Sequence, residues 1–455
     1  MLQPQGLESY RVPGQTLALR GALFSLLRRP DPSDASIQSI SDPAGQRRGL
    51  LFIPDGVIFI RDGLIQWVRP ADAAAADIPA DCPVHRYPDR LILPGFIDTH
   101  THFPQLEVIG RMGHTLIDWL NHYTFPAEEK FSDLDHAQQT AQLFCAELAR
   151  HGVTTASVFA TVHRQSVDAL FERAQAQGMR MLCGKVLMDR HCPEGLQDGP
   201  DHGLADTESL ISRWHGHDRL RYSLTPRFAP TSSAEQMAMV GRLFQSSTGV
   251  HLQSHLAETQ EEVAWVQALY PEQRSYLEVY QHFQQTGRGA IMGHSIYLNE
   301  QDRATMAQTQ TAIAFCPSSN LFLGSGLFDL ESTYEQGIPV GLGSDVGGGT
   351  SPNMFKTMLD AYKVLKLRSQ TLTPEMAFYL ATLGGAEALG IESVVGSLEV
   401  GKEADLIVVN PEATPLLAHR AAASQSLSDL LSALITLGDE RCIEACYIQG
   451  RPVPV

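Results

Sequence analysis

A chain of 455 residues, 43% hydrophobic and 19% charged, can build a large core and does not have a disordered composition. Its 34 Lys+Arg against 51 Asp+Glu leave a formal charge of −17. That sign repels nucleic-acid backbones and anionic membrane surfaces, so no nucleic acid and no membrane is expected as partner, and a small neutral molecule is.

The opening segment MLQPQGLESYRVPGQ shows no basic-then-apolar leader pattern. No apolar run approaches bilayer length. The seven cysteines are odd in number and scattered, without a C-x₂-C pair. Reduced thiols in a cytoplasmic protein are the expectation.

From Gln15 to Pro70 the chain reads as short strands, TLALRGALFSLL and GLLFIPDGVIFIRDGLIQWV, around a polar loop from Arg28 to Arg48 to which no role is assigned. Asp55-Gly56 and Asp62-Gly63 predict hairpin turns. From Arg90 onward short apolar runs alternate with helical segments such as Asp135–His151, Ser166–Gly178, Ser233–Gly249 and Glu261–Gly287. The runs are LILPGFIDTH, VTTASVFAT, RMLCGKVLM, LRYSLTPRF, VHLQSH, AIMGHS, TAIAFCPSS and IPVGLGSD. Eight strands alternating with helices predict an α/β fold, a closed (β/α)₈ TIM-like barrel. After TPEMAFYLATLGGAEALG, strands return in GSLEVGKEADLIVVNP and ACYIQGRPVPV. The expected division is therefore a small β-sandwich domain from residues 1–90 and 393–455, with the barrel in 91–392 between them.

His100-Thr101-His102 closes the first run. Residues two apart on a strand point to the same face, so both imidazoles can reach one ion. Among 17 histidines such a pair arises easily by chance. Its company sets it apart: the fifth run ends in His255 with Glu258 just beyond, the sixth in His294 and the eighth in Asp345. Singly, His294 reads as a core histidine and Asp345 as a helix cap. Barrel enzymes, however, carry their chemistry at the C-terminal ends of several strands. Three histidines and an aspartate suit one divalent metal with a position open to water.

PGFIDTHTH, HLAE, GHS, GSD and GSLEVGKEADLIVV together resemble the amidohydrolase superfamily, over nearly all of the chain. The resemblance implies zinc held by His100, His102, His255 and Asp345, with iron used in some relatives. Two-metal members carry a bridging Lys or Glu on the fourth strand. LRYSLTPRF has neither, and Lys185 lies on the third, so one metal per chain is implied.

Within the superfamily, HTHFPQ (100–105), IDWLNHYTFPAE (117–128), TPRFAPTSS (225–233), HSIYLNEQD (294–302), CPSSNLFLGSGLFDL (316–330) and GLGSDVGGGTSPNMFKTM (341–358) resemble the guanine deaminases. That implies hydrolysis of guanine to xanthine and ammonia in purine catabolism, by a homodimer. Carried over by position, Gln105, Arg227, Phe228, His255 and His294 face the substrate, Glu258 shuttles protons, and Asp345 and His294 are catalytic. Phe103-Pro104 departs from the small residues relatives often carry before the glutamine, which bears on pocket width.

The residue types suit that chemistry. A carboxylate at 258 can move a proton to a ring nitrogen. His294 can donate to a developing tetrahedral centre. Gln105 offers a donor and an acceptor, and Arg227 only donors, for a purine carbonyl or else for a protein carboxylate that makes it merely part of the wall. Trp119 and Phe228 can cover ring faces, although Trp119, Tyr123 and Phe125 read equally as core.

Rival readings are a related one-metal aminohydrolase acting on 8-oxoguanine, a pterin, an adenosine derivative or a triazine, and an inactive scaffold, which would have no need of the complete ligand set. Gly396-x₄-Gly401-Lys402 mimics a phosphate loop but continues with Glu403 instead of Ser or Thr, and reads as a turn. The P-C-x-x-C of the other deaminase fold does not occur.

Overall fold

The computed structural model describes residues 9–30, 49–113 and 115–455. Most of the Arg28–Arg48 loop lies outside the described residues. Four strands open the chain: β1 (Thr16–Leu26), β2 (Leu50–Arg61), β3 (Leu64–Pro70) and β4 (Val84–Pro94). Asp62-Gly63 closes the β2–β3 hairpin as expected, with Arg61 opposite Leu64. Asp55-Gly56 does not turn. It runs on within β2, where Gly56 faces Gly21 of β1 and Pro70 of β3. A Cβ at Gly56 would meet Leu23 Cδ1 at 2.5 Å, so this glycine serves close packing.

The barrel follows in β5 (Phe96–His102), β6 (Val153–Phe159), β7 (Arg180–Gly184), the short β8 (Val186–Leu187), β9 (Leu220–Pro226), β10 (His251–Leu256), β11 (Ala290–His294), β12 (Ala312–Phe315) and β13 (Val340–Leu342). The order β5-β6-β7-β9-β10-β11-β12-β13 is the parallel, nearly closed barrel predicted, with β8 paired to β9. The first predicted run is split. Leu91, Ile92 and Leu93 belong to β4, beside the C-terminal strand β14 (Leu406–Val409), and β5 begins only at Phe96. The 261–287 segment is likewise two helices, Gln260–Leu269 and Tyr276–His282. Pro271 lies in the break, where it lacks the N–H a continuing helix needs.

The chain ends share one sheet, in the order β16-β15-β14-β4-β1-β2-β3, with β15 (Ile443–Ile448) and β16 (Arg451–Val453). Leu19, Ile58 and Ile60 from its first strands and Leu406, Val408 and Tyr447 from its last share one buried cluster. Two helices not foreseen in the sequence, Pro415–Ala422 and Leu427–Leu437, separate β14 from β15. Leu431 and Leu434 of the second are buried in the barrel's own hydrophobic cluster. All seven cysteines are free, and no helix of the described residues is long and apolar enough to cross a membrane.

A buried ion cluster ties the sheet to the barrel. Arg180 Nη2 donates to Glu403 Oε1 and Oε2 at 2.6 and 2.8 Å. Arg219 donates from Nε to Glu403 at 3.0 Å and from Nη2 to Asp405. Burial alone would raise the Glu403 pKa, but Arg219 and Arg180 override it and hold it at about 2, below the ordinary 4.5. A depressed carboxylate gives stability that is complete above its unfolded pKa and is lost as pH falls toward the folded one. Glu403→Gln, which strands the buried Arg180 guanidinium and leaves Arg219 to Asp405 alone, should therefore cost about 3–5 kcal/mol near neutral pH by urea unfolding. The gap from wild type should narrow as pH falls from about 4.5 toward about 2. An equal loss at all pH values would contradict this account.

Candidate active site

Parallel strands bring their C-terminal ends together, and the β5–β13 seam is closed at that end by side-chain and backbone hydrogen bonds. Thr99 Oγ1 donates to Leu342 O at 2.9 Å, Ser344 N to Asp98 Oδ1 at 2.9 Å, and Asp345 N to His100 O at 2.8 Å. Asp345 is thereby fixed beside the two histidines of β5. His255 and His294 come in from the ends of β10 and β11. Ala257, His294, Ser295 and Asp345 all adopt positive φ, between 49° and 63°. Such strain in non-glycine residues is held only where the surroundings enforce it, and here it marks the strand ends of the site.

His100 Nε2 and His102 Nε2 lie 3.3 Å apart, as do His102 Nε2 and His255 Nε2. Asp345 Oδ1 is 3.4 Å from His100 Nε2 and 3.3 Å from His102 Nε2. A tetrahedral ion with bonds of about 2.0–2.1 Å has ligand–ligand edges of about 3.3–3.4 Å. His255 Nδ1 donates to Arg227 O at 2.7 Å, leaving the Nε2 lone pair aimed inward. Burial lowers the pKa of His100, His102 (to about 3) and His255, so these imidazoles are neutral and ready to ligate. Burial opposes charge on Asp345, but the His100 and His102 rings beside it prevail and hold its carboxyl well below the usual range.

His100, His102 and His255 bring one ligand atom each within 4.8 Å of one another, and a second set, His100, His294, Cys316 and Asp345, does the same. The second set is the weaker cage. Burial holds Cys316 as a thiol, which contacts Ala314 O at 3.5 Å. His294 Nδ1 donates to Asn320 Oδ1 at 2.9 Å, and its Nε2 has no hydrogen-bond partner among the described residues, lying 3.5 Å from Glu258 Oε2 and 3.8 Å from Asp345 Oδ2.

The cavity over this cluster, about 420 Å³ including its mouth, is lined by Gln105, Trp119, Arg227, Phe228, Glu258 and His294 among others. Trp119 is both core and wall: it is 2% exposed, and its Nε1 donates to Arg111 O at 2.8 Å. Phe228 stands edge-on to Trp265 at 5.9 Å. Phe125 lies under Arg227, whose guanidinium carbon is 5.2 Å from the ring centre. Ser325 Oγ donates to Glu258 Oε1 at 2.8 Å, and burial raises the Glu258 pKa. Glu262 accepts from the backbone N–H of Glu258 at 2.8 Å and from Tyr276 OH at 2.8 Å.

Every residue expected at the site lines the cavity or the ligand cluster. The sequence reading missed the side chains that hold them. Foremost is Glu128, fully buried, which accepts from Arg227 Nη1 at 2.8 and 2.7 Å and from Gln105 Nε2 at 3.0 Å. The carboxylate alternative for Arg227 is thus realised at one nitrogen. No other hydrogen bond engages the guanidinium among the described residues, so Nε and Nη2 remain as donors in a residue that lines the cavity. Asn320 and Ser325 were missed as well. The only signal for all three was membership of the quoted segments.

This strand-end cluster sits in a chain whose residues 91–453 match the Amidohydrolase family. The chain belongs to the amidohydrolase family. This amidohydrolase is 44% identical to the guanine deaminase of Escherichia coli (strain K12), over 96% of its own length and 97% of the relative's. The solved E. coli guanine deaminase superposes with a TM-score of 0.91, covering 96% of this chain and 99% of that one. A guanine deaminase from C. acetobutylicum, solved with guanine in its active site, gives a TM-score of 0.84 at 29% identity, over 96% of this chain and all of that one.

Proposed function

We propose that this amidohydrolase is a guanine deaminase that converts guanine and water to xanthine and ammonia. The observation that carries the reading is the pocket itself: an Arg227–Gln105 polar edge, aromatic walls, and Glu258 beside a cluster of metal-ligand type. The guanine deaminases among its relatives agree with it. His100, His102, His255 and Asp345 are the proposed ligands of one zinc ion. Iron accepts the same donors.

Bound there, such an ion would supply a water acidic enough to attack near neutral pH. The chain's own residues do the rest. Arg227 and Gln105 hold the purine by its C6 side, and Phe228 and Trp119 cover the ring. Asp345 accepts a proton of the attacking water. Glu258, raised by burial toward the working pH, passes a proton to a ring nitrogen beside C2 and then to the departing amino group. His294 Nε2, without a hydrogen-bond partner among the described residues, donates to the oxygen that adds at C2. The C2–O bond forms and the C2–N bond breaks, and of the two protons the water gives up, one ends on the ring nitrogen beside C2 and the other leaves with ammonia.

The deciding experiment is ammonia release by purified, metal-loaded protein from guanine, 8-oxoguanine, a pterin, an adenosine derivative and a triazine. Release from guanine with the highest kcat/KM supports the reading, and preference for another compound replaces it. Elemental analysis should give one zinc per chain, and His255→Ala should lower metal content and activity together. Two ions per chain, or full occupancy in the variant, would contradict the proposed set. A cytoplasmic homodimer completes the proposal, and light scattering of the purified protein at micromolar concentration should give the mass of two chains.

A further inference from the structure

Arg227 and Glu128 form a buried pair, 3% and 0% exposed, and no other ion pair involves Arg227 among the described residues. Glu128 takes one N–H group of the arginine and one of Gln105. What remains toward the cavity is the guanidinium's other donors and Gln105 Oε1. That oxygen is pinned from behind: a Cβ at Gly347, which sits at φ +116°, would come within 2.2 Å of it.

The charge balance matters more than the geometry. A buried guanidinium without a counter-charge is an anion receptor, and attraction across one contact in such a place is worth orders of magnitude in affinity. With Glu128 in contact the two charges cancel, and the same donors address a neutral carbonyl. Guanine and its product differ in this respect. Guanine is neutral near pH 7. Xanthine, with carbonyls at both C2 and C6, is the stronger acid and loses a ring proton close to neutrality.

Resting on the guanine deaminase reading, we propose that Glu128 is a specificity-determining positioning residue: it neutralises Arg227, so that the pocket takes the neutral substrate through its carbonyl and does not retain the product as an anion. Glu128 touches neither substrate nor metal ligand in this arrangement. Its effect is exerted through Arg227 and Gln105.

The test is calorimetric titration of metal-loaded wild type and Glu128→Gln with xanthine across its ionisation, and with hypoxanthine, which keeps the C6 carbonyl but stays neutral over that range. The other ionisable groups facing the cavity, His102, His255, Glu258, Glu262, His294 and Asp345, are common to both proteins and cancel in the comparison. In wild type, xanthine affinity should fall as xanthine ionises. In the variant it should rise, and binding should be tighter than wild type by about tenfold or more once xanthine is anionic. Hypoxanthine should change by no more than about threefold. Parallel pH slopes in the two proteins, or equal shifts for both ligands, overturn the proposal. If the variant does not fold, wild type alone decides through the ratio of xanthine to hypoxanthine affinity, in which those groups are again common: a ratio that rises as xanthine ionises overturns the proposal, and one that falls supports it. Failure of the underlying reading is a separate result, namely wild type that releases no ammonia from guanine.

Discussion

Glu258→Gln is expected to keep its full complement of metal and to lose about 10³-fold in kcat. Glu258 is held from two sides. Ser325 Oγ donates to its Oε1, and Glu262 fixes its backbone N–H. Glutamine is nearly isosteric and can still accept from Ser325, so the pocket should keep its shape and KM should change little. Glutamine cannot gain and release a proton, and that is the proposed role of Glu258. The residue is outside the proposed ligand set, in which His102 Nε2 lies 3.3 Å from His100 Nε2, from His255 Nε2 and from Asp345 Oδ1. Metal analysis therefore separates a lost shuttle from a lost ligand. Near-wild-type kcat would remove Glu258 from the mechanism, and a large fall in metal content would make it part of the cage.

The barrel was legible because its signal is local: eight apolar runs in chain order became its strands, and the polar residue ending a run became a residue at the strand's mouth. The misread boundaries have local causes too. Leu91–Leu93 and Phe96–His102 are one apolar stretch to the eye, yet tertiary pairing with β14 claims the first part for another sheet. Asp55-Gly56 has hairpin composition, but Gly56 is needed for the close approach of Leu23. Glu128 was invisible for a different reason. It arrives from the helix Phe125–Glu129, and no strand-end spacing links it to Arg227, 99 positions away. Burial gives a carboxylate such a task, and burial is not written in spacing. The same holds for Asp98, which burial raises to about 7 and which binds Ser344 across the barrel seam.

Arg227→Met should lower kcat/KM for guanine by about 10⁴-fold, the loss expected when a site built to hydrogen-bond its substrate is left without that bond. Guanine carries a carbonyl at C6 and adenine an amino group. A guanidinium has only donors, so it pairs with the first and opposes the second. Wild type should accordingly show almost no activity on adenine. The Glu128 pair complicates the single substitution, because methionine leaves a fully buried carboxylate unpaired, at a cost of about 3–5 kcal/mol. The double variant Arg227→Met/Glu128→Met removes both charges and should recover thermal stability while kcat/KM for guanine stays low. Recovery of stability without recovery of activity is the signature of an arginine that reads the substrate. If the arginine only shaped the wall, the double variant would regain activity along with stability. Comparable wild-type rates on adenine and guanine would contradict its reading of O6 in another way, since a donor-only group facing C6 cannot serve a carbonyl and an amino group alike.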